Sequence, residues 1–252
     1  MIQIVPLKDV GEIAPGADLA AELAAALVRS GLAPAAGDVL VVTQKVVSKA
    51  EDRFVDLASV TPGAEAERLA AATGKDARLV ELVLAESSAI LRAVPGVLIA
   101  RHRCGWVMAN AGIDRSNLGP GRQDQVLLLP RDADASAARI RADVARLCGI
   151  ELAVVVSDSF GRPWRNGVVN VALGVAGAPS LIDRRGQRDR DGRLLEVTQI
   201  AVADMLATAA GLVMGEGAEG FPAALVSGLA VGSAPHQPAS ALNRPLEQDL
   251  FQ

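Results

Sequence analysis

The sequence predicts a mixed α/β fold, and three observations carry that expectation. Residues 153–156 (AVVV) are apolar in succession, which leaves no solvent face, so they read as a strand covered on both sides. Residues 38–44 (DVLVVTQ) repeat the pattern, an apolar run that ends against Lys45, Ser48 and Lys49. Segments with helical apolar spacing lie between these runs, and strands interleaved with helices build layered α/β sheets.

In chain order, residues 2–5 read as a first strand closed by Pro6, and Pro15 and Gly16 mark a turn before a helix capped by Asp18. Leu19, Leu23, Ala26 and Leu27 share one face of that helix, which Gly31 stops. The connection Val10, Gly11, Glu12, Ile13 offers backbone N–H groups near a sheet end, which suits a ligand and equally an ordinary loop. If Lys45 begins a helical turn after the 38–44 strand, Lys45 and Lys49 fall at i and i+4 with Ser48 beside them. That cationic patch suits polyphosphate; the plain alternative is a solvated amphipathic turn.

Two helices follow, 64–73 ended by Gly74 and 77–86 capped by Asp76, then a strand pair, 91–94 and 97–102, around Pro95 and Gly96. Residues 110–121 (NAGIDRSNLGPG) place Asp114 and Asn117 among glycines that allow close backbone approach, and equally form a good turn. Residues 125–129 read as a strand ended by Pro130. A helix capped by Asp134 or Ser136 then runs to residue 147, and Gly149 ends it. Past residue 167, 168–175 is apolar, and 183–193 (DRRGQRDRDGR) reads as a solvated hairpin because aspartates interleave its arginines. Residues 198–214 have helical periodicity and lead to Gly215, Glu216, Gly217 and a last strand at 223–226. The organisation is one domain over 1–231, with room for two subdomains. An extension over 232–252 reads as loosely attached and ends in Leu250 and Phe251.

With 252 residues, 50% hydrophobic and 21% charged, the chain can bury a sizeable core. No Tyr and four Phe mean that Ala, Val, Leu and Ile must build it, and that stacking platforms for single-stranded nucleic acid are missing. The net charge of -4 also argues against a nucleic-acid partner. Cys104 and Cys148 stand far apart and only His102 and His236 occur, so neither a disulfide framework nor a zinc site is expected. No basic leader and no long uncharged apolar run is present, which predicts a soluble cytoplasmic protein without a membrane partner. Neither a Walker A pattern nor a G-x-G-x-x-G fingerprint occurs.

The polar burst after residue 156 is the densest chemistry in the chain. Asp158 and Ser159 are hard oxygen donors for a divalent cation, and Arg162 and Arg165 are cations for the free oxygens of a phosphate. The competing reading is a surface turn in which Asp158 or Ser159 caps a helix.

Three segments in this order, VVTQKVVSKAEDR (41–53), ANAGIDRSNLG (109–119) and VVSDSFGRPWRNG (155–167), resemble the coenzyme F420-0:L-glutamate ligases. D-x-x-G-R-x-L at 189–195, the helix at 200–214 and PAALVSG at 222–228 extend the similarity over most of the chain. The resemblance implies a fold peculiar to that family rather than a P-loop or ATP-grasp fold, and an intertwined homodimer. It also implies GTP-dependent addition of L-glutamate to F420-0 with Mg²⁺ or Mn²⁺, K⁺ being an optional further ion. Carried over, Asp114, Asp158 and Ser159 would be metal ligands, with Glu216 a further one. Val10, Gly11, Glu12, Ile13, Gln44, Lys49, Asn117, Met214, Gly215, Gly217 and Phe221 would match nucleotide contacts. Asp158, Arg162 and Arg165 would act on the transferring phosphoryl group. The chain departs from some relatives in having Gln44 where a Ser can stand and Ser157-Asp158-Ser159 in place of T-D-T, changes that keep oxygen donors. Two alternatives stand beside it: a metal-dependent phosphohydrolase, which would use the same ligands with water as acceptor, and, outside enzymology, an anion-binding regulatory module built on 183–193.

Overall fold

The structure is a computed structural model that describes residues 1–229 and 235–249. The chain runs β1 (Gln3–Pro6), α1 (Leu19–Arg29), β2 (Val39–Thr43), α2 (Gln44–Ala50), β3 (Phe54–Asp56), α3 (Ala64–Thr73), α4 (Ala77–Ala85), β4 (Ser87–Val94), β5 (Val97–His102) and β6 (Val107–Ala109). It continues with β7 (Gln125–Leu127), α5 (Ala133–Cys148), β8 (Ala153–Arg162), β9 (Arg165–Ala176), β10 (Ile182–Asp183), β11 (Gln199–Ile200), α6 (Val202–Met214) and β12 (Ala223–Ser227). The expected mixed α/β fold is the one observed.

A five-stranded sheet in the order β1-β12-β2-β8-β9 organises the molecule. Only β2 and β8 are parallel; every other neighbouring pair is antiparallel. Both apolar runs lie at its centre, and alternation sends their side chains to opposite layers. Leu40, Val42, Val154 and Val156 pack with Leu23 and Leu27 of α1 and Ile140 of α5. Val39, Val41 and Val155 pack on the other face with Ala203, Leu206 and Ala210 of α6. A third apolar cluster joins α3 and α4 to β5 and β7 through Leu69, Leu79, Val83, Leu98 and Val126.

Several sequence expectations need correction. β8 does not end at Val156: β9 pairs with it through Arg162↔Arg165, so Asp158 and Ser159 sit within a strand and cap no helix. α5 is capped by Asp132, whose Oδ1 accepts the Ala135 N–H at 2.9 Å. Asp134 instead accepts N–H groups from Val175 and Ala239, both at 2.8 Å, and Ser136 turns its hydroxyl to Glu51. α6 begins only at Val202, because Gln199 and Ile200 pair with β10. The tail is not loose where it is described. Ala239 is buried, the Ser180 hydroxyl donates to the Pro238 carbonyl at 2.7 Å, and the Asn243 amide donates to the Cys104 carbonyl at 2.8 Å. Leu250 and Phe251 lie outside the described residues. The charged 183–193 segment folds back as a hairpin as expected, with Gly186 N–H donating to Leu195 and Asp189 N–H to Arg193. Among the described residues, no helix is long and apolar enough to cross a membrane.

Candidate functional site

The parallel pairing of β2 and β8 stops at Thr43↔Ser157. Beyond it the chain turns into α2 on one side and continues along β8 on the other, and a crevice opens at the carboxyl ends of the two strands. A cavity of 520 Å³ lies there. Five separated segments wall it: 10–13, 43–49, 114–117, 157–159 and 214–222, with Asn170 from β9.

Asp114 is delivered by a strained connection. Asn110 and Ala111 both take left-handed backbone (φ 51°), a conformation that disfavours a non-glycine residue, and Ala111 is held there by burial. Asp114 then locks onto β7 through two backbone hydrogen bonds with Leu127, each 2.9 Å. Its Oδ2 accepts from the Gln44 amide at 2.7 Å and pairs with Lys45 Nζ at 2.6 Å. The Ser48 hydroxyl donates to Gln44 Oε1 at 2.9 Å and so fixes which end of that amide faces Asp114. Lys49 is buried, and its Nζ meets Glu12 Oε1 at 2.5 Å. The two lysines are therefore neither a bare cationic patch nor solvated, as the alternative held: each is matched to a carboxylate from another segment.

Asp158 lies one residue past the end of the parallel pairing. Enclosure by protein, and after it the Asp114 carboxylate, pushes its carboxyl up from 3.8 to about 8; Glu216 adds to this, while the Ser159 N–H and the Lys45 charge oppose it. Ser157, fully buried, has a hydroxyl with no hydrogen-bond partner. On the far wall, Gly215 (φ 76°) lets the chain fold so tightly that a Cβ there would lie 2.3 Å from Glu219 Cδ. Glu219 accepts the Gly217 N–H at 2.7 Å, and Glu216 accepts from the Asn170 amide at 2.7 Å.

The cavity thus gathers Val10, Gly11, Glu12, Ile13, Lys49, Asp114, Asn117, Asp158, Ser159, Met214, Gly215, Glu216, Gly217 and Phe221. Gln44 stands behind the wall and acts on it through Asp114. Arg162 and Arg165 are not brought in: strand pairing carries them to the hairpin tip, where Arg162 donates to the Asn166 carbonyl at 2.9 Å. Asn170, Ser116 and Ser157 also line the cavity and were not singled out from the sequence. Asn170 could have been found by pairing the hairpin, since it faces Ser159 across β8 and β9.

Among the described residues, no three Asp, Glu, His or Cys side chains converge as a formed metal site, and Oδ2 of Asp114 is engaged by both Gln44 and Lys45. The donor types still suit a hard divalent cation. Asp114, Asp158, Glu216 and the Ser159 hydroxyl border one cavity, and the Asp114 charge that helps to hold a proton on Asp158 is what a cation would relieve.

Comparison with known proteins matches residues 9–228 to the family model described as F420-0:Gamma-glutamyl ligase. A protein of Methanothermobacter thermautotrophicus named coenzyme F420:L-glutamate ligase is 42% identical over 251 residues, covering 99% of this chain and 98% of the relative. Proteins of the same name from Methanopyrus kandleri (44% identical, 90% of this chain and 86% of the relative) and Halobacterium salinarum (44%, 95% and 91%) are similar to it as well.

Proposed function

The chain belongs to the F420-0:Gamma-glutamyl ligase family, and from that premise we propose that it is a cytoplasmic ligase that joins L-glutamate to the deazaflavin F420-0 at the expense of GTP. The observation that carries this reading is the single cavity in which the carboxylates Asp114 and Asp158 meet Lys45 and Lys49.

A carboxylate does not react with an amine at neutral pH, so it must first become an electrophile. In the proposed sequence, the F420-0 carboxylate oxygen attacks the γ-phosphorus of GTP, GDP leaves, and an acyl phosphate forms. The neutral amine of glutamate then attacks the acyl carbon, the C–O bond to phosphate breaks, and phosphate leaves with the electron pair and takes up the proton that the nitrogen gives up. Phosphoryl transfer asks mainly for positioning and charge neutralisation, so no nucleophilic side chain is required. Lys49 and Lys45 would exchange Glu12 and Asp114 for phosphate oxygens, and the loops 10–13 and 214–222 would border the nucleotide. Asp114, Asp158, Ser159 and Glu216 would hold Mg²⁺ or Mn²⁺, which when bound supplies neutralising charge to the phosphates. We further propose a homodimer; exposed Met205 and Leu212, seven positions apart on α6, supply an apolar stripe for a second copy.

Incubation with F420-0, L-glutamate, GTP and Mn²⁺, followed by mass analysis, tests the reading. Added glutamyl units that require every component support it. Release of phosphate from GTP with no glutamate incorporated would replace the ligase with a phosphohydrolase.

A further inference from the structure

A second cavity, of 420 Å³, opens next to the first. Ser159 and Asn170 line the first, and the next residue along each strand, Phe160 and Val171, lines the second. Asp158, which lines the first, is paired across the hairpin with Val171, which lines the second, so the two chambers share the β8–β9 hairpin as a wall.

The wall of this chamber holds charges of both signs. Asp204, in the first turn of α6, spends one oxygen, Oδ1, on the Ala172 N–H of edge strand β9 at 2.9 Å. Burial pushes this carboxyl upward, opposed only by that N–H, and no cation among the described residues forms an ion pair with it. Two guanidiniums border the same space. Arg101 pairs with Asp249 at 3.8 Å, and Arg244 is exposed. Trp106 and Phe160 supply an apolar side to the chamber.

A carboxylate such as Asp204 that shares a chamber with two guanidiniums and pairs with neither is the complement of a zwitterion, whose ammonium needs the first and whose carboxylates need the second. We propose that this chamber is the subsite for the amino-acid co-substrate, an α-amino dicarboxylic acid, with Asp204 taking its ammonium and Arg101 and Arg244 its carboxylates. The assignment rests on the ligase reading and deepens it. A polyanionic acceptor is the poorer occupant, because Asp204 and Asp249 in the wall repel it. The amino acid would then approach the reacting centre from the hairpin side, while the nucleotide fills the chamber over β2 and β8.

Asp204→Asn keeps a carbonyl oxygen for the Ala172 N–H and removes the charge; Arg244→Ala changes an exposed side chain. In the full chain we expect each variant to raise the KM for L-glutamate, Asp204→Asn by about tenfold or more, the loss of one charged contact. The KM for GTP should stay within about twofold of wild type, a split that general damage to the fold would not give. Saturation-transfer NMR with L-glutamate reads the subsite without turnover. Glutamate signals seen with wild type and lost with Asp204→Asn support the proposal, and equal signals with both proteins overturn it even if ligation proceeds. Unchanged glutamate KM in both variants overturns it too. Failure of the ligase reading looks different, as wild-type protein that never incorporates glutamate into product. Should Asp204→Asn lose its circular-dichroism spectrum, Arg244→Ala alone decides, an unchanged glutamate KM being the adverse result.

Discussion

At Asp158, replacement by Asn keeps the size and one carbonyl oxygen but deletes the charge that a cation would need. Turnover of Asp158→Asn should fall roughly a thousandfold or more, since a metal's contribution to such a transition state is several kcal/mol. Stability should move the other way. The native carboxyl sits at about 8 against 3.8 when free, so the folded state holds a proton that the unfolded state has lost. Stability that is complete below about pH 4 is therefore lost as pH rises toward 8, and thermal melts in EDTA between pH 5 and 8 should show the melting temperature falling. Asp158→Asn should flatten that slope; equal slopes in the two proteins would refute the enclosed, crowded carboxyl. A second prediction concerns the Lys49–Glu12 pair. Glu12→Gln frees the lysine from a competing anion and should tighten nucleotide binding by about threefold to tenfold in calorimetry, whereas Lys49→Ala should weaken it. Equal affinities in all three proteins would remove Lys49 from the nucleotide site. Most of the cavity was legible at this scale, because Asp, Ser, Lys and Gly cluster in short runs whose chemistry is read from residue type. Which carboxylate meets which lysine was not legible. Lys45 and Asp114 are brought together by topology, and nothing local in either run encodes the partner.

Among the elements, α3, α4 and the β4–β5 hairpin follow from local signals: Gly74 in left-handed backbone, the Asp76 cap and the Pro95-Gly96 turn. β3 and β6 are three residues each and exist because a partner strand holds them, so no run of β-formers announces them, whereas β7 lies within the apolar run 125–129 that the sequence does announce. The extension of β8 through SDSFGR has the same origin: β9 supplies the ladder, with a register shift between Val156 and Ser157 where buried strand gives way to site. Helix α5 meets the sheet at Gly174. A Cβ there would lie 2.0 Å from the Ala133 carbonyl oxygen and 2.3 Å from its carbon, and backbone at a helix start cannot yield as a side-chain tip can. Gly174→Ala should cost about 3 kcal/mol, or roughly 6–12 °C in Tm for a chain of this size, measured by calorimetry. An unchanged Tm would mean that α5 can lift from the sheet.

For the molecule as a whole, the proposed homodimer predicts a mass of two chains in light scattering at micromolar concentration. Leu212→Glu, placed on the exposed stripe of α6, should shift it toward one chain. A monomeric wild type would leave that stripe without a purpose. The order of the central sheet has a consequence in time. β12, near the end of the chain, inserts between β1 and β2, so Gln3 finds Ser227 and Val39 finds Val226. Until β12 arrives, β2 presents an open edge and β1 has no neighbour in the sheet, so a chain emerging from synthesis can assemble the α3, α4 and β4–β6 cluster but not the cavity. Closing contacts between opposite ends of the chain makes the last step slow and exposes it to association with other chains. The candidate site thus exists only once the strand that seals the sheet has arrived.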